Sequence, residues 1–220
     1  MNRILIITAA RIELDVILKH YKIKRNKSNM VEMKKNDKEI TFAYAGIGQQ
    51  SFIKGLKKIL NKIKKPDSIL LIGSSGAISP YYKTGDICQA DLIINAKTNE
   101  IIKLENDFKG IFVTSEKLAN HEEKIKLLDA YKNLDREVIA VDMETFHFAR
   151  YCKENKYNFK IIRAVSDDLE SKLPDSHFFK NVYLNCFLHP SEIVLYGKIF
   201  WGIRKAIKSC LKELEIIIPV

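Results

Sequence analysis

The chain is poor in the residues that build metal centres and disulfide frameworks. Its four cysteines, Cys88, Cys152, Cys186 and Cys210, lie far apart and form no CxxC pair. That spacing excludes a zinc knuckle, and a disulfide scaffold is not expected in a chain of this size. Reduced thiols in a cytoplasmic protein are the simplest account. No apolar run approaches the roughly 18 residues needed to cross a bilayer, and the first residues enter directly as a strand without a leader layout. There is no internal repeat, low-complexity segment or interdomain linker. The lysine runs KIKRNK (22–27), KKNDK (34–38) and KKILNKIKK (57–65) lack the interleaved aromatics of a nucleic-acid surface. A nucleic-acid partner is therefore not expected, and solvated helix faces explain most of the lysine.

What is present is a 220-residue chain, long enough for one domain with a sizeable core. Hydrophobic residues make up 46% and charged residues 29%, with a formal net charge of +10. That excess favours anionic ligands such as phosphate groups or an anionic membrane surface. Short continuous apolar runs at 4–8 (ILIIT), 40–45 (ITFAYA) and 68–72 (SILLI) read as strands buried on both faces. Amphipathic helical segments at 51–64 and after residue 10 separate them. A hairpin turning at Asn36-Asp37 precedes the second run, and one long strand is expected over 87–96, with more β at 101–104 and 110–114. Residues 121–131 read as a polar helix. Strands alternating with helices predict an α/β three-layer sandwich with a central mixed, mostly parallel sheet and a helical C-terminal tail.

Chemistry concentrates at two strand ends. The run AVDMETFHFAR (140–150) brings Asp142 and Glu144 to the mouth of a helix. The run IIRAVSDD (161–168) brings Ser166, Asp167 and Asp168 to a second strand end. Carboxylates at the carboxyl ends of buried strands are what a sheet-based active site requires. The competing reading is structural: Asp167 as a helix cap and Glu144 as a first-turn acid. Upstream, Glu13 follows another strand end, and GSSGA (73–77) offers small residues through which backbone amides can approach a ligand.

The tail, 175–215, reads as helix, broken at His189-Pro190. From residue 191 onward Ile199, Phe200, Ile203, Ala206, Ile207, Cys210, Leu211 and Leu214 share one arc. Lys205, Lys208 and Lys212 lie outside that arc, with Trp201 among the basic residues. Packing on the domain's own sheet is the first reading. Peripheral contact with a membrane through this basic amphipathic helix is the second.

Five segments in order resemble the purine nucleoside phosphorylase and nucleosidase superfamily, including methylthioadenosine/S-adenosylhomocysteine nucleosidases: TAARIE (8–13), AGIG (45–48), GSSGAISP (73–80), VDMET (141–145) and RAVSDD (163–168). GDI (85–87) leading into Ala90-Asp91 adds to the pattern. Within the superfamily the chain is also similar to hopanoid-associated phosphorylases, by its short 115–137 connection, Leu173-Pro174 and FLHPSEIVLYGKI. The resemblance implies cleavage of an adenine N-glycosidic bond in a small purine nucleoside, lipid-linked if the second likeness holds. A purine leaves well only when a ring nitrogen is protonated. The matching acid is Asp167, with Ser166 orienting it. Glu144 corresponds to the ribose clamp, Met143 lies against the sugar, and Ser74, Ser75 and Gly76 line the ribose or nucleophile side. Glu13 matches the water-orienting glutamate of the nucleosidases. Arg11 is the group that would contact phosphate if the reaction were phosphorolysis; Arg163 is a second basic group for that contact, with pairing to Glu144 or Asp142 as its alternative role.

The resemblance implies no cofactor and no metal, inorganic phosphate being a co-substrate only in the phosphorolytic case. It also implies a homo-oligomer. The nucleophile, water or phosphate, stays open at this point, as does a non-catalytic nucleoside-binding role. Two features depart from the pattern. Thr145-Phe146-His147 is bulkier than the small residues usual there. The aromatic that stacks on the purine has no motif, leaving Phe112, Leu118 and Phe178 as candidates.

Overall fold

The computed structural model describes residues 2–24, 28–171, 173 and 193–219. Among the described residues ten strands and five helices follow one another as β1 (Asn2–Thr8), α1 (Arg11–His20), β2 (Met30–Lys35), β3 (Lys38–Tyr44), α2 (Gln49–Leu60), β4 (Ser68–Ala77), β5 (Ile87–Cys88), β6 (Leu92–Asn95), β7 (Ile101–Lys103), β8 (Gly110–Thr114), α3 (His121–Tyr131), β9 (Glu137–Asp142), α4 (Thr145–Glu154), β10 (Asn158–Asp167) and α5 (Ile193–Ile217). All described strands join one mixed sheet, in the order β2-β3-β1-β4-β9-β8-β6-β7, with β10 branching from β4 and carrying β5. The pairs β1–β3, β1–β4, β4–β10, β6–β8 and β8–β9 are parallel. The expected α/β sandwich is the architecture found.

Alternation along the strands explains the layers. On β1, Ile4 and Ile6 turn to one face with Leu14 and Ile17 of α1 and with Ala206, Ile207, Cys210 and Leu214 of α5. Leu5 and Ile7 turn to the other, against Phe52 and Leu56 of α2 and Phe148 and Cys152 of α4. A strand covered on both sides has no polar face, which is why these runs are continuously apolar. Asn36 and Asp37 both take positive φ, 48° and 57°. That backbone joins β2 to β3 with a twist matching the strands.

The single long strand expected over 87–96 is two strands with different partners. β5 pairs antiparallel with β10, whereas β6 lies between β7 and β8. The break falls at Gln89-Ala90-Asp91. There the Asp91 carboxylate accepts from Gly110 N at 3.1 Å and from Arg136 Nε at 2.8 Å. A buried carboxylate needs such partners, and satisfying them turns the chain out of the ladder. Helix α2 ends at Leu60, four residues before the sequence pattern runs out at Lys64.

The C-terminal helix uses its apolar arc on the domain itself. Ala206, Ile207, Cys210, Leu211 and Leu214 are buried, while Lys205, Lys208 and Lys212 are exposed. Trp201 stands 59% exposed among the basic residues, with Lys205 Nζ 5.1 Å from its ring centroid. Lys38 Nζ donates to Ile217 O at 2.6 Å and Tyr21 Oη to Ile218 O at 2.9 Å, tying the helix end to the domain. The helix expected over 176–188 and its break lie outside the described residues. Among the described residues no helix is long and apolar enough to cross a membrane.

Candidate active site

Strands β1, β4, β9 and β10 bring their carboxyl ends to one edge of the sheet. The register of β4 with β10 sets Ser74 opposite Ala164, Ser75 opposite Val165 and Gly76 opposite Asp167, with a bulge between Val165 and Asp167. A bulge re-aims the following side chain, and here that side chain is Asp167.

Glu13, in the first turn of α1, is buried. Its Oε1 accepts from Ser74 N and Ser74 Oγ, both at 2.8 Å, and its Oε2 accepts from Ala10 N at 3.0 Å. The carboxylate is thereby fixed by two backbone amides and one hydroxyl. Ser74 Oγ is thus taken up by Glu13. The Ser75 hydroxyl turns into the sheet toward Ala164 O, 3.4 Å away, so its side chain packs between strands.

Glu144 lies just before α4, and its Oε1 accepts from Gly48 N at 2.7 Å. Behind it Arg163, 1% exposed, forms ion pairs with Asp142 Oδ2 at 2.5 Å and Glu144 Oε2 at 3.5 Å. Arg163 also donates through Nε to Thr145 Oγ1 at 3.1 Å and through Nη1 to Ser74 O at 3.3 Å. Arg163 therefore organises the carboxylates from beneath, the pairing role weighed for it beside phosphate contact. Burial first, then the charge of Asp142, pushes the Glu144 carboxyl up to about 7; Arg163 and the Gly48 amide pull the other way. Asp142 accepts from Thr145 N, the first residue of α4, and from Thr114 Oγ1 of β8. Asp168 is held away by Thr84, whose N and Oγ1 donate to its Oδ1 at 2.6 and 2.7 Å.

Asp167 closes the edge. Its Oδ1 accepts from Ser166 Oγ at 2.6 Å, and its Oδ2 lies 2.5 Å from Lys124 Nζ. Lys124, on α3, is fully buried and was not singled out by the sequence reading. A signal was available. Lys124 heads an i, i+3, i+4, i+7 stripe with Leu127, Leu128 and Tyr131, all packed against the core. A lysine leading an apolar helical stripe enters the interior and needs a buried partner.

Gly76, Leu118, Ala119, Met143, Asp167 and Leu173 line the small cleft at this edge, about 30 Å³. Leu118, one base-stacking candidate, is in it. Phe112 instead lines a larger groove of about 610 Å³ beside β5 and β10, to whose lining these carboxylates do not contribute. Phe178 lies outside the described residues. Arg11 is exposed, 3.7 Å from Asp15. The bulky Phe146 packs into the core with Ala140 and Val165. Burial pushes the Cys88 thiol up to about 12 and raises that of Cys210, so both are inert. Among the described residues no group of three or more His, Cys, Asp or Glu could hold a metal ion.

The sheet and its carboxylate-lined edge define an α/β protein whose site is built from acids at strand ends. A 5'-methylthioadenosine/S-adenosylhomocysteine nucleosidase of Buchnera aphidicola is 29% identical over 175 residues, 66% of this chain and 72% of that protein. The apo structure of the Arabidopsis thaliana 5'-methylthioadenosine nucleosidase superposes with a TM-score of 0.72 at 12% identity, covering 100% of this chain and 97% of that one. Futalosine hydrolase of Helicobacter pylori superposes at 0.62 and 17% identity, over 96% and 98%. No family model matches. The chain is similar in sequence to these nucleosidases and shares the fold of the nucleosidase structures.

Proposed function

We propose that this enzyme hydrolyses the N-glycosidic bond of an adenine nucleoside carrying a 5'-substituent, of the class named for its Buchnera and Arabidopsis relatives. In this reading C1'–N9 breaks as the sugar develops oxocarbenium character. Asp167 gives a proton to a ring nitrogen of the leaving purine, and Ser166 orients it. A water molecule attacks C1' and gives its proton to Glu13. The products are free adenine and the free sugar, so atoms and charge balance without a cofactor. Glu144 accepts hydrogen bonds from the ribose hydroxyls, and Met143 packs against the ring.

The observation that carries the choice of water is the setting of Glu13. A buried carboxylate held by Ala10 N, Ser74 N and Ser74 Oγ accepts a proton from water but repels phosphate. The finer alternative, phosphorolysis of adenosylhopane, needs cations at the nucleophile side. Arg163 is engaged by Asp142 and Glu144, and Arg11 is exposed beside Asp15, which supports hydrolysis. The deciding experiment is adenine release from several 5'-substituted adenosines, each with and without phosphate. Phosphate-independent release is expected. Release that requires phosphate and yields a sugar 1-phosphate would overturn the hydrolytic reading.

A further inference from the structure

We infer that Lys124 is the positioning residue of the proton donor, dictating which oxygen of Asp167 meets the purine; this rests on the N-glycosidic reading above. The ammonium is saturated by the strand end. It lies 2.5 Å from Asp167 Oδ2, 2.9 Å from Asp168 O and 3.4 Å from Asp167 O. An ammonium has three N–H donors, and here each has an acceptor on Asp167 or Asp168. Lys124 is fully buried, so it acts on a ligand only through the carboxylate it grips.

The grip is built from three sides. Helix α3, which carries Lys124, is anchored by a reciprocal cap in which Glu123 N donates to Asn120 Oδ1 at 3.0 Å and Asn120 N to Glu123 Oε2 at 3.2 Å. Leu127 and Leu128 pack its inner face on the core. Gly76 forms the facing wall. A Cβ there would fall 2.8 Å from Asp167 Oδ2 and 2.9 Å from Lys124 Cε, so only glycine admits the pair. With Oδ2 committed to Lys124, Oδ1 is left to Ser166 Oγ and to the cleft. A donor held by one oxygen cannot rotate, and orientation is where much of an enzyme's advantage arises. The competing explanation is a buried ion pair that merely staples α3 to β10.

The test is a mutant cycle in adenine release. Lys124→Met should lower kcat by about 10²-fold, the scale of a misplaced reacting group, while KM changes little. Lys124→Arg, which keeps a cationic donor, should recover part of that loss. Turnover of a 4-nitrophenyl riboside, whose leaving group departs without a proton, should fall far less than adenine release. Added to Asp167→Asn, Lys124→Met should cost nothing further. That comparison alone decides if the single variant does not fold, because the double variant leaves no buried charge unpaired. An unchanged kcat in Lys124→Met, equal losses on both substrates, or a multiplied loss in the double variant would overturn the inference while the unaltered enzyme still releases adenine. No purine release by the unaltered protein from any nucleoside would overturn the N-glycosidic reading and this inference together.

Discussion

Arg163→Met isolates what the buried guanidinium does beneath the site. Methionine fills much of the same volume, so packing is largely kept while the charge is removed. Asp142, 2.5 Å from the guanidinium, and Glu144, 3.5 Å from it, are both nearly inaccessible to water. Removing one partner of a buried ion pair costs about 3–5 kcal/mol. In a chain of this length about 1 kcal/mol moves Tm by roughly 2–4 °C, so a drop of about 6–20 °C is expected by calorimetry. The pH dependence separates charge from packing. Burial raises the Glu144 carboxyl from 4.5 to about 7 in the folded protein. Below that pH both folded proteins keep this proton, and their stabilities change in parallel. Above it the unaltered protein releases the proton, whereas the variant, lacking the nearby cation, retains it further. The folded variant then binds more protons, so its deficit widens as pH rises. Melting curves at about pH 6 and about pH 8.5 measure that widening. A deficit equal at both values would assign the loss to packing and refute the argument.

Three further outcomes follow from the site and one from the tail. Asp167→Asn should reduce adenine release by about 10²–10⁴-fold and lower Tm as well, because buried Lys124 loses its ion-pair partner; a folded variant with near-normal turnover would mean that another group is the acid. The raised Glu144 carboxyl adds stability that is full below about 4.5 and lost as pH rises through about 7. Over the same rise its carboxylate form appears, so KM should improve, and Glu144→Gln should flatten that profile and weaken KM by about 10–100-fold, the worth of a charged hydrogen bond. Gly202→Ala on α5 would place a Cβ 2.0 Å from Ser166 O. Such overpacking costs about 1–3 kcal/mol and should displace the neighbouring Asp167, read as a lower Tm with a lower kcat; no change in either would free α5 from any hold on the site. With the apolar arc of α5 buried on the sheet, binding to anionic vesicles should be weak, salt-sensitive and lost when Lys205, Lys208 and Lys212 become Glu. Salt-resistant flotation with vesicles would restore an inserted membrane helix.

Much of this molecule was legible because its signals are local. Continuous apolar runs named the double-faced strands, and Asn36-Asp37 named the β2–β3 turn. The wheel of the C-terminal helix separated buried Ala206, Cys210 and Leu214 from exposed Lys205 and Lys208. Strand-end carboxylates at 13, 144 and 167 were visible because an acid directly after an apolar run has few other places to go. Other features were not. Residues 87–96 form one β-rich stretch by composition, yet β5 and β6 part because Asp91 finds Gly110 and Arg136 far along the chain. Asp142 and Asp168 read like Asp167 by position. Only their partners, Thr145 for one and Thr84 for the other, make them structural.

Burial pattern and strand-end chemistry are carried by spacings of a few residues, so the amino-acid sequence by itself determined the sheet, its helices and the candidate acids. The pairing of those acids depends on charges separated by tens of residues. Arg163 beneath Asp142 and Glu144 and Lys124 behind Asp167 were therefore decided only by the tertiary structure. A buried cation takes whichever carboxylate the folded backbone brings within about 3 Å, since leaving either charge unpaired inside the protein costs several kcal/mol.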